Sequence, residues 1–167
     1  VSQNNIITLL KYSIINNKIS HAYIFSGPRG TGKTSTAKIF AKAINCLDYT
    51  NGNPCLNCEI CSNFNLNNDI YEIDAASNTG VDQIREIIDN VKLSPITSKY
   101  KVYIIDEVHM LSTSAFNALL LTLEEPPSHV VFILATTNIE DVPITGLSRC
   151  QRLDFRNVSN KDLDDQL

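Results

Sequence analysis

Gly27-Pro28-Arg29-Gly30-Thr31-Gly32-Lys33-Thr34 fits the pattern G-x-x-x-x-G-K-[ST] without a gap. Residues of these types suit one task, the grip on a chain of phosphates. Glycines let backbone N–H groups curl around phosphate oxygens, and a helix beginning at the lysine adds its positive end. Lys33 is the residue to reach the β- and γ-phosphates, and Thr34 the one to ligate Mg²⁺. The predicted nucleotide-binding set is therefore Gly27, Pro28, Arg29, Gly30, Thr31, Gly32, Lys33, Thr34 and the adjoining Ser35.

A second stretch supplies the acids. Lys101-Val102-Tyr103-Ile104-Ile105-Asp106-Glu107 reads as a buried strand ending in two carboxylates. Ligands of open α/β sheets bind at that edge. Asp106 is expected to hold Mg²⁺, and Glu107 to orient and polarise an attacking water. An Asp-Glu pair alone would read as a helix cap; beside a phosphate loop it reads as hydrolytic. Ala135-Thr136-Thr137-Asn138 ends another apolar run in small polar residues, so Thr137 is a candidate contact to the γ-phosphate or the water. Arg149, in Ser148-Arg149-Cys150, is a candidate for charge on the transferring group, in its own site or a neighbour's; a solvated surface arginine is the plainer alternative. His109 is read as a packing or hydrogen-bonding residue.

Cys46, Cys55, Cys58 and Cys61 are spaced C-x8-C-x2-C-x2-C across an Asn/Gly/Pro-rich stretch. Four thiolates suffice for a tetrahedral zinc shell. An iron–sulfur cluster, a redox pair or plain structural thiols are the rivals, but no cysteine follows Cys61 until Cys150, as a ferredoxin run would require. The metal is read as a staple for an insertion with little apolar core, not as a catalyst. Between Cys46 and Cys61 there is no Lys or Arg, which argues against direct nucleic-acid binding by the module. Cys150 is read as a small buried residue.

These groups need elements to hold them. Apolar spacing predicts helices over 3–16, 34–44, 81–91 and 115–123. Short apolar runs predict strands at 23–25, 70–73, 102–105, 130–134 and 153–155. Strands alternating with helices imply an α/β fold with a parallel sheet flanked by helices on both faces. Ser159 with Asp162 looks like a cap opening a further helix. The 167 residues suit one domain, and 43% hydrophobic with 19% charged residues is an ordinary globular balance. The formal charge of −4 excludes a globally basic nucleic-acid binder. With no signal-like start and no spanning apolar run, the expectation is a cytoplasmic protein with reduced thiols. The chain, starting at Val1, reads as an excised piece of something longer.

Taken together, SHAYIFSGPRGTGKTSTAKIFAKAINC, the cysteine spacing, EIDAASNTGVDQIR, KVYIIDEVHMLSTSAFNALLLTLEEPP, HVVFILATTN and LSRCQRLDF resemble the gamma/tau subunits of bacterial DNA polymerase III. The resemblance implies an AAA+ P-loop NTPase domain over 1–156, with a zinc insertion over about 45–64, and the start of a helical lid over 157–167. It implies an ATPase, using ATP, Mg²⁺ and Zn²⁺, that drives the sliding-clamp loader of the replicative polymerase holoenzyme. Lys33, Thr34, Asp106, Glu107 and Thr137 fall at the family's phosphate, magnesium, acid and sensor positions. Arg149 falls at an arginine that acts on ATP bound to the adjacent subunit. The cysteines Cys46, Cys55, Cys58 and Cys61 fall at its zinc ligands. Implied partners are delta, delta-prime and further gamma/tau copies, the sliding clamp, and primer–template DNA. The rival reading is a scaffold subunit that binds nucleotide without hydrolysing it; intact Lys33, Thr34 and Glu107 argue against it. One departure is Leu121, where the family carries a basic residue.

Overall fold

The structure, a computed structural model, describes residues 4–46, 55, 58, 70–77, 81–93, 95 and 99–156. Five parallel strands form one sheet: β1 (Ala22–Ser26), β2 (Ile70–Asp74), β3 (Lys101–Asp106), β4 (Val130–Thr136) and β5 (Gln151–Asp154), in the order β2-β3-β4-β1-β5. Among the described residues the helices are α1 (Asn4–Ile15), α2 (Lys33–Asn45), α3 (Val81–Val91), α4 (Thr113–Glu124) and the single turn α5 (Ile144–Leu147).

Sequence character sorts the strands by position. β1, β3 and β4 lie inside the sheet, covered on both faces, and their runs AYIFS, KVYIID and VVFILAT are almost wholly buried. The edge strands β2 and β5 are mostly half-buried or exposed. Alternate side chains of the inner strands feed two cores. Ile24, Tyr103, Ile105, Phe132 and Leu134 pack with Ile84 and Ile87 of α3 and with Phe116 and Leu119 of α4. Tyr23, Phe25, Ile104, Val131 and Ile133 pack on the other side with Leu10 and Ile14 of α1 and with Ala37, Phe40 and Ala41 of α2. The expected architecture is present, with element ends displaced by one to two residues. β3 starts at Lys101, because that lysine is buried: its Nζ donates to the Asn90 and Leu93 carbonyls and the Asn90 side chain, capping the end of α3.

Three short elements were absent from the pattern reading: α5 and the 3₁₀ turns Val108–Met110 and Ile139–Asp141. Each is too short to show periodicity. α4 begins two residues before Ala115 because Ser112 caps it, accepting a hydrogen bond from Ala115 N at 3.2 Å. The helix expected after Ser159, and the start of a lid at 157–167, lie outside the described residues.

Candidate functional site

The strand order brings the ends of β1, β3 and β4 side by side, and the chemistry-bearing residues sit on those ends. Gly27 leaves β1 at φ +149°, where its N–H donates to Thr136 O at 3.2 Å. A Cβ there would lie 2.5 Å from Phe155 O, so only glycine lets the loop pass between the ends of β4 and β5. Gly32, at φ 88°, occupies the N-cap of α2 in left-handed geometry and turns the chain into the helix. The loop is braced by Thr31 Oγ1, which donates to Pro28 O at 2.7 Å.

Lys33 is buried, and its Nζ donates to Gly27 O at 2.7 Å and Pro28 O at 2.8 Å. Burial lowers the ammonium pKa, and Arg29 adds to that; the Glu107 and Asp106 carboxylates act the other way. The cation is thus held between loop carbonyls and acids. A bound phosphate would meet a donor already stripped of much of its water.

Asp106 ends β3, with Oδ2 accepting from Thr34 Oγ1 at 3.3 Å and Oδ1 accepting from Glu107 N at 2.9 Å. Hydroxyl and carboxylate oxygens at this separation are the hard donors that Mg²⁺ takes. Glu107 follows in the left-handed region, φ 53° and ψ 46°. That conformation costs a non-glycine residue about 1 kcal/mol and persists only where surroundings enforce it. It turns the Glu107 side chain toward β4, where Oε2 accepts from Thr137 Oγ1 at 3.3 Å.

One cleft of about 430 Å³ gathers Arg29, Gly30, Gly32, Lys33, Thr34, Ser35, Asp106, Glu107 and Thr137. Of the remaining expected loop residues, Gly27 and Pro28 contribute carbonyls to Lys33, while Thr31 faces a neighbouring apolar hollow between α1 and α2. Arg149 is not among the residues lining the cleft. It is exposed, pairs with Glu124 at 2.7 Å and donates to Thr145 O at 2.5 Å. Two cleft residues escaped the sequence reading, Asp74 and Ala76. Asp74 ends β2 in register with Asp106. The available signal was a second acid at a strand end, in IYEID.

The cysteines converge at the end of α2. The Sγ atoms of Cys46, Cys55 and Cys58 lie within 4.8 Å of one another, Cys46 and Cys58 at 3.9 Å. This is far beyond a disulfide bond and close to the roughly 3.8 Å edge of a tetrahedron with zinc–sulfur bonds of about 2.3 Å. Backbone N–H groups donate to two of the sulfurs, Cys55 N to Cys46 Sγ and Cys58 N to Cys55 Sγ. Cys61 lies outside the described residues. Asn45 anchors the cluster by a two-way hydrogen bond with the Tyr100 backbone. Cys150 is half-buried, and burial pushes its thiol up to about 11, the state of an inert packing residue.

A parallel sheet in the order β2-β3-β4-β1-β5, with the glycine-rich loop after β1 and the acid pair after β3, has the fold of the AAA+ P-loop class. Solved structures agree on that fold. A DNA polymerase III gamma subunit-related protein of Thermotoga maritima superposes with TM-score 0.69 at 22% identity, covering 98% of this chain and 48% of the other. The RuvB Holliday junction branch migration motor of the same organism gives TM-score 0.65 at 19% identity, with 97% and 47% covered. The family model described as DNA polymerase III, delta subunit matches residues 2–159, and the chain belongs to that family, on its gamma/tau branch. The tau subunit of Bacillus subtilis is 56% identical over 96% of this chain and 29% of its own length. The tau/gamma subunit of Haemophilus influenzae is 48% identical over 100% and 25%. The gamma subunit of Buchnera aphidicola from Acyrthosiphon pisum is 46% identical over 98% and 46%. The chain thus spans between a quarter and a half of these relatives' lengths. Among the described residues, no helix is long and apolar enough to cross a membrane.

Proposed function

We propose that this domain binds and hydrolyses Mg-ATP as the motor of a DNA polymerase III clamp loader, placing the sliding clamp on primed DNA in the cytoplasm. The observation that carries the reading is the meeting of Lys33, Thr34, Asp106, Glu107 and Thr137 around one cleft, in a chain of the gamma/tau branch. Loop N–H groups and Lys33 bind the phosphates. Thr34 and Asp106 would hold Mg²⁺, which when bound neutralises charge on the β- and γ-phosphate oxygens. Glu107 takes the proton of the attacking water, and Thr137 keeps its carboxylate turned to the cleft. The apolar hollow bounded by Ile7, Leu10, Ile39 and Phe40 lies against the same loop and suits the flat face of a base.

Arg149 serves a neighbour in this account. Its pair with Glu124 is half-exposed, so releasing it costs no more than about 1 kcal/mol. In the assembly with delta, delta-prime and further gamma/tau copies, Arg149→Ala is expected to spare ATP binding and to lower DNA-stimulated turnover about 10³-fold. Unchanged stimulated turnover would remove Arg149 from the mechanism.

The cysteine cluster holds zinc as a structural staple, with Cys61 as fourth ligand. Metal analysis of the purified protein is expected to give about one zinc per chain, and Cys58→Ser to lose most of it. In that variant ATP affinity should stay within about twofold, because a structural ion contributes to folding and not to the phosphate site. Iron in place of zinc, or no metal, would reject the assignment. Clamp-dependent stimulation of turnover by primed DNA in the wild-type assembly tests the proposed function as a whole.

A further inference from the structure

One buried titratable side chain beside the cleft has no part in the scheme above. His109 sits on the 3₁₀ turn that follows Glu107, with its side chain only 8% exposed. Its Nδ1 lies 2.7 Å from Thr136 Oγ1, and its Nε2 lies 3.4 Å from Glu107 Oε2. In a neutral ring whose Nε2 hydrogen faces the carboxylate, Nδ1 is the acceptor. Thr136 Oγ1 already accepts from Asn138 N at 3.0 Å, which leaves its own hydrogen for Nδ1. The result is a directed chain from Asn138 N–H to Thr136 and from Thr136 O–H to His109, whose Nε2 faces the Glu107 carboxylate at 3.4 Å.

Glu107 Oε2 is also the atom that accepts from Thr137 Oγ1 at 3.3 Å. One carboxylate oxygen is thus approached by the Thr137 hydroxyl and by the His109 ring, both fixed by the end of β4. The left-handed backbone of Glu107 sets the direction of its Cα–Cβ bond but leaves three side-chain torsions unfixed. Orientation of the carboxylate has to come from its far end. We propose that His109 is a positioning residue for Glu107, holding the carboxylate in a water-facing orientation and coupling that orientation to the end of β4, where Thr137 borders the cleft. The inference rests on the reading of Glu107 as the base.

The test is steady-state ATP hydrolysis in the full protein assembled with its partner subunits, clamp and primed DNA. His109→Phe keeps the ring volume and removes both polar contacts. Its kcat is expected to fall about tenfold or more while KM and nucleotide affinity hold, the pattern of a disturbed general base. His109→Gln, which restores an N–H donor near the same place, is expected to recover most of that loss. Thr136→Val, which removes only the hydroxyl behind the ring, should lower kcat in the same direction and by less. In a Glu107→Gln background, His109→Phe should have no further effect, since the two act through one group.

Wild-type kcat in both His109→Phe and Thr136→Val, or a His109→Phe loss that persists in the Glu107→Gln background, would overturn the inference while leaving the ATPase reading intact. Wild-type turnover in Glu107→Gln itself would overturn the base assignment and this inference with it. If His109→Phe loses nucleotide affinity, through a fold too disturbed to report, Thr136→Val decides the matter: wild-type kcat rejects the role, and a lowered kcat at constant KM supports it.

Discussion

Glu107→Gln is expected to lower ATP turnover by about 10²–10³-fold, the usual worth of a general base. The geometry makes this substitution a clean one. The amide keeps the shape of the carboxylate, and its oxygen still accepts from Thr137 Oγ1 and stays beside the His109 ring. What it loses is the basicity that takes a proton from water. The phosphate loop, Lys33, Thr34 and Asp106 are untouched, so ATP affinity should stay within about twofold. Single-turnover hydrolysis and an equilibrium titration with a fluorescent ATP analogue would separate the two quantities. A loss of affinity equal to the loss of rate would make Glu107 a binding residue instead.

Lys33→Ala is expected to act on binding itself, weakening ATP by about 100-fold or more. Charge-assisted hydrogen bonds to phosphate contribute about 1.5–3 kcal/mol each, and Lys33 makes more than one. A second cost adds to the first. The ammonium is the cation that faces Asp106 and Glu107 from inside the loop. Without it, two carboxylates confront a polyanionic ligand with one cation fewer beside Arg29. Lys33→Arg is expected to rescue little, since a planar guanidinium does not fit between the Gly27 and Pro28 carbonyls that now seat a compact ammonium. Calorimetric titration with Mg-ATP checks both variants. Unchanged affinity in Lys33→Ala would reject the loop as the phosphate site.

Much of this arrangement was written in local chemistry. Strands inside the sheet announce themselves, because VVFILAT and KVYIID must be apolar on both faces. Helices such as α3 show their buried stripe in the spacing of Ile84, Ile87 and Val91. β5 was harder to place, since an edge strand with one buried residue, Leu153, carries little period; it ends at Asp154 where Phe155 had been expected to belong to it. The glycine-rich turn into α2 was legible because Gly30 and Gly32 supply the positive φ that such a turn needs.

What stayed hidden is what depends on neighbours distant in sequence. Nothing local says that β4 inserts between β1 and β3, and that insertion is what carries Thr136 and Thr137 to the acids. Asp74 reaches the cleft only because β2 pairs in register with β3. The role of His109 depends on a contact across 27 residues to Thr136. The Arg149–Glu124 pair likewise joins α4 to the turn before β5, and no spacing rule links those positions. Three of the four cysteines do meet as their spacing suggested, because α2 ends at Asn45 and delivers Cys46 to the other two.

The central claim is that this cleft hydrolyses ATP in step with clamp and DNA. The most direct measurement is ATP turnover by the whole protein assembled with its partner subunits, taken with and without the sliding clamp and primed DNA. The account predicts low turnover alone and strong stimulation when clamp and primed DNA are both present, abolished by Glu107→Gln. Turnover that stays flat on adding clamp and DNA, and is unchanged by Glu107→Gln, would contradict it and leave a nucleotide-binding scaffold in its place.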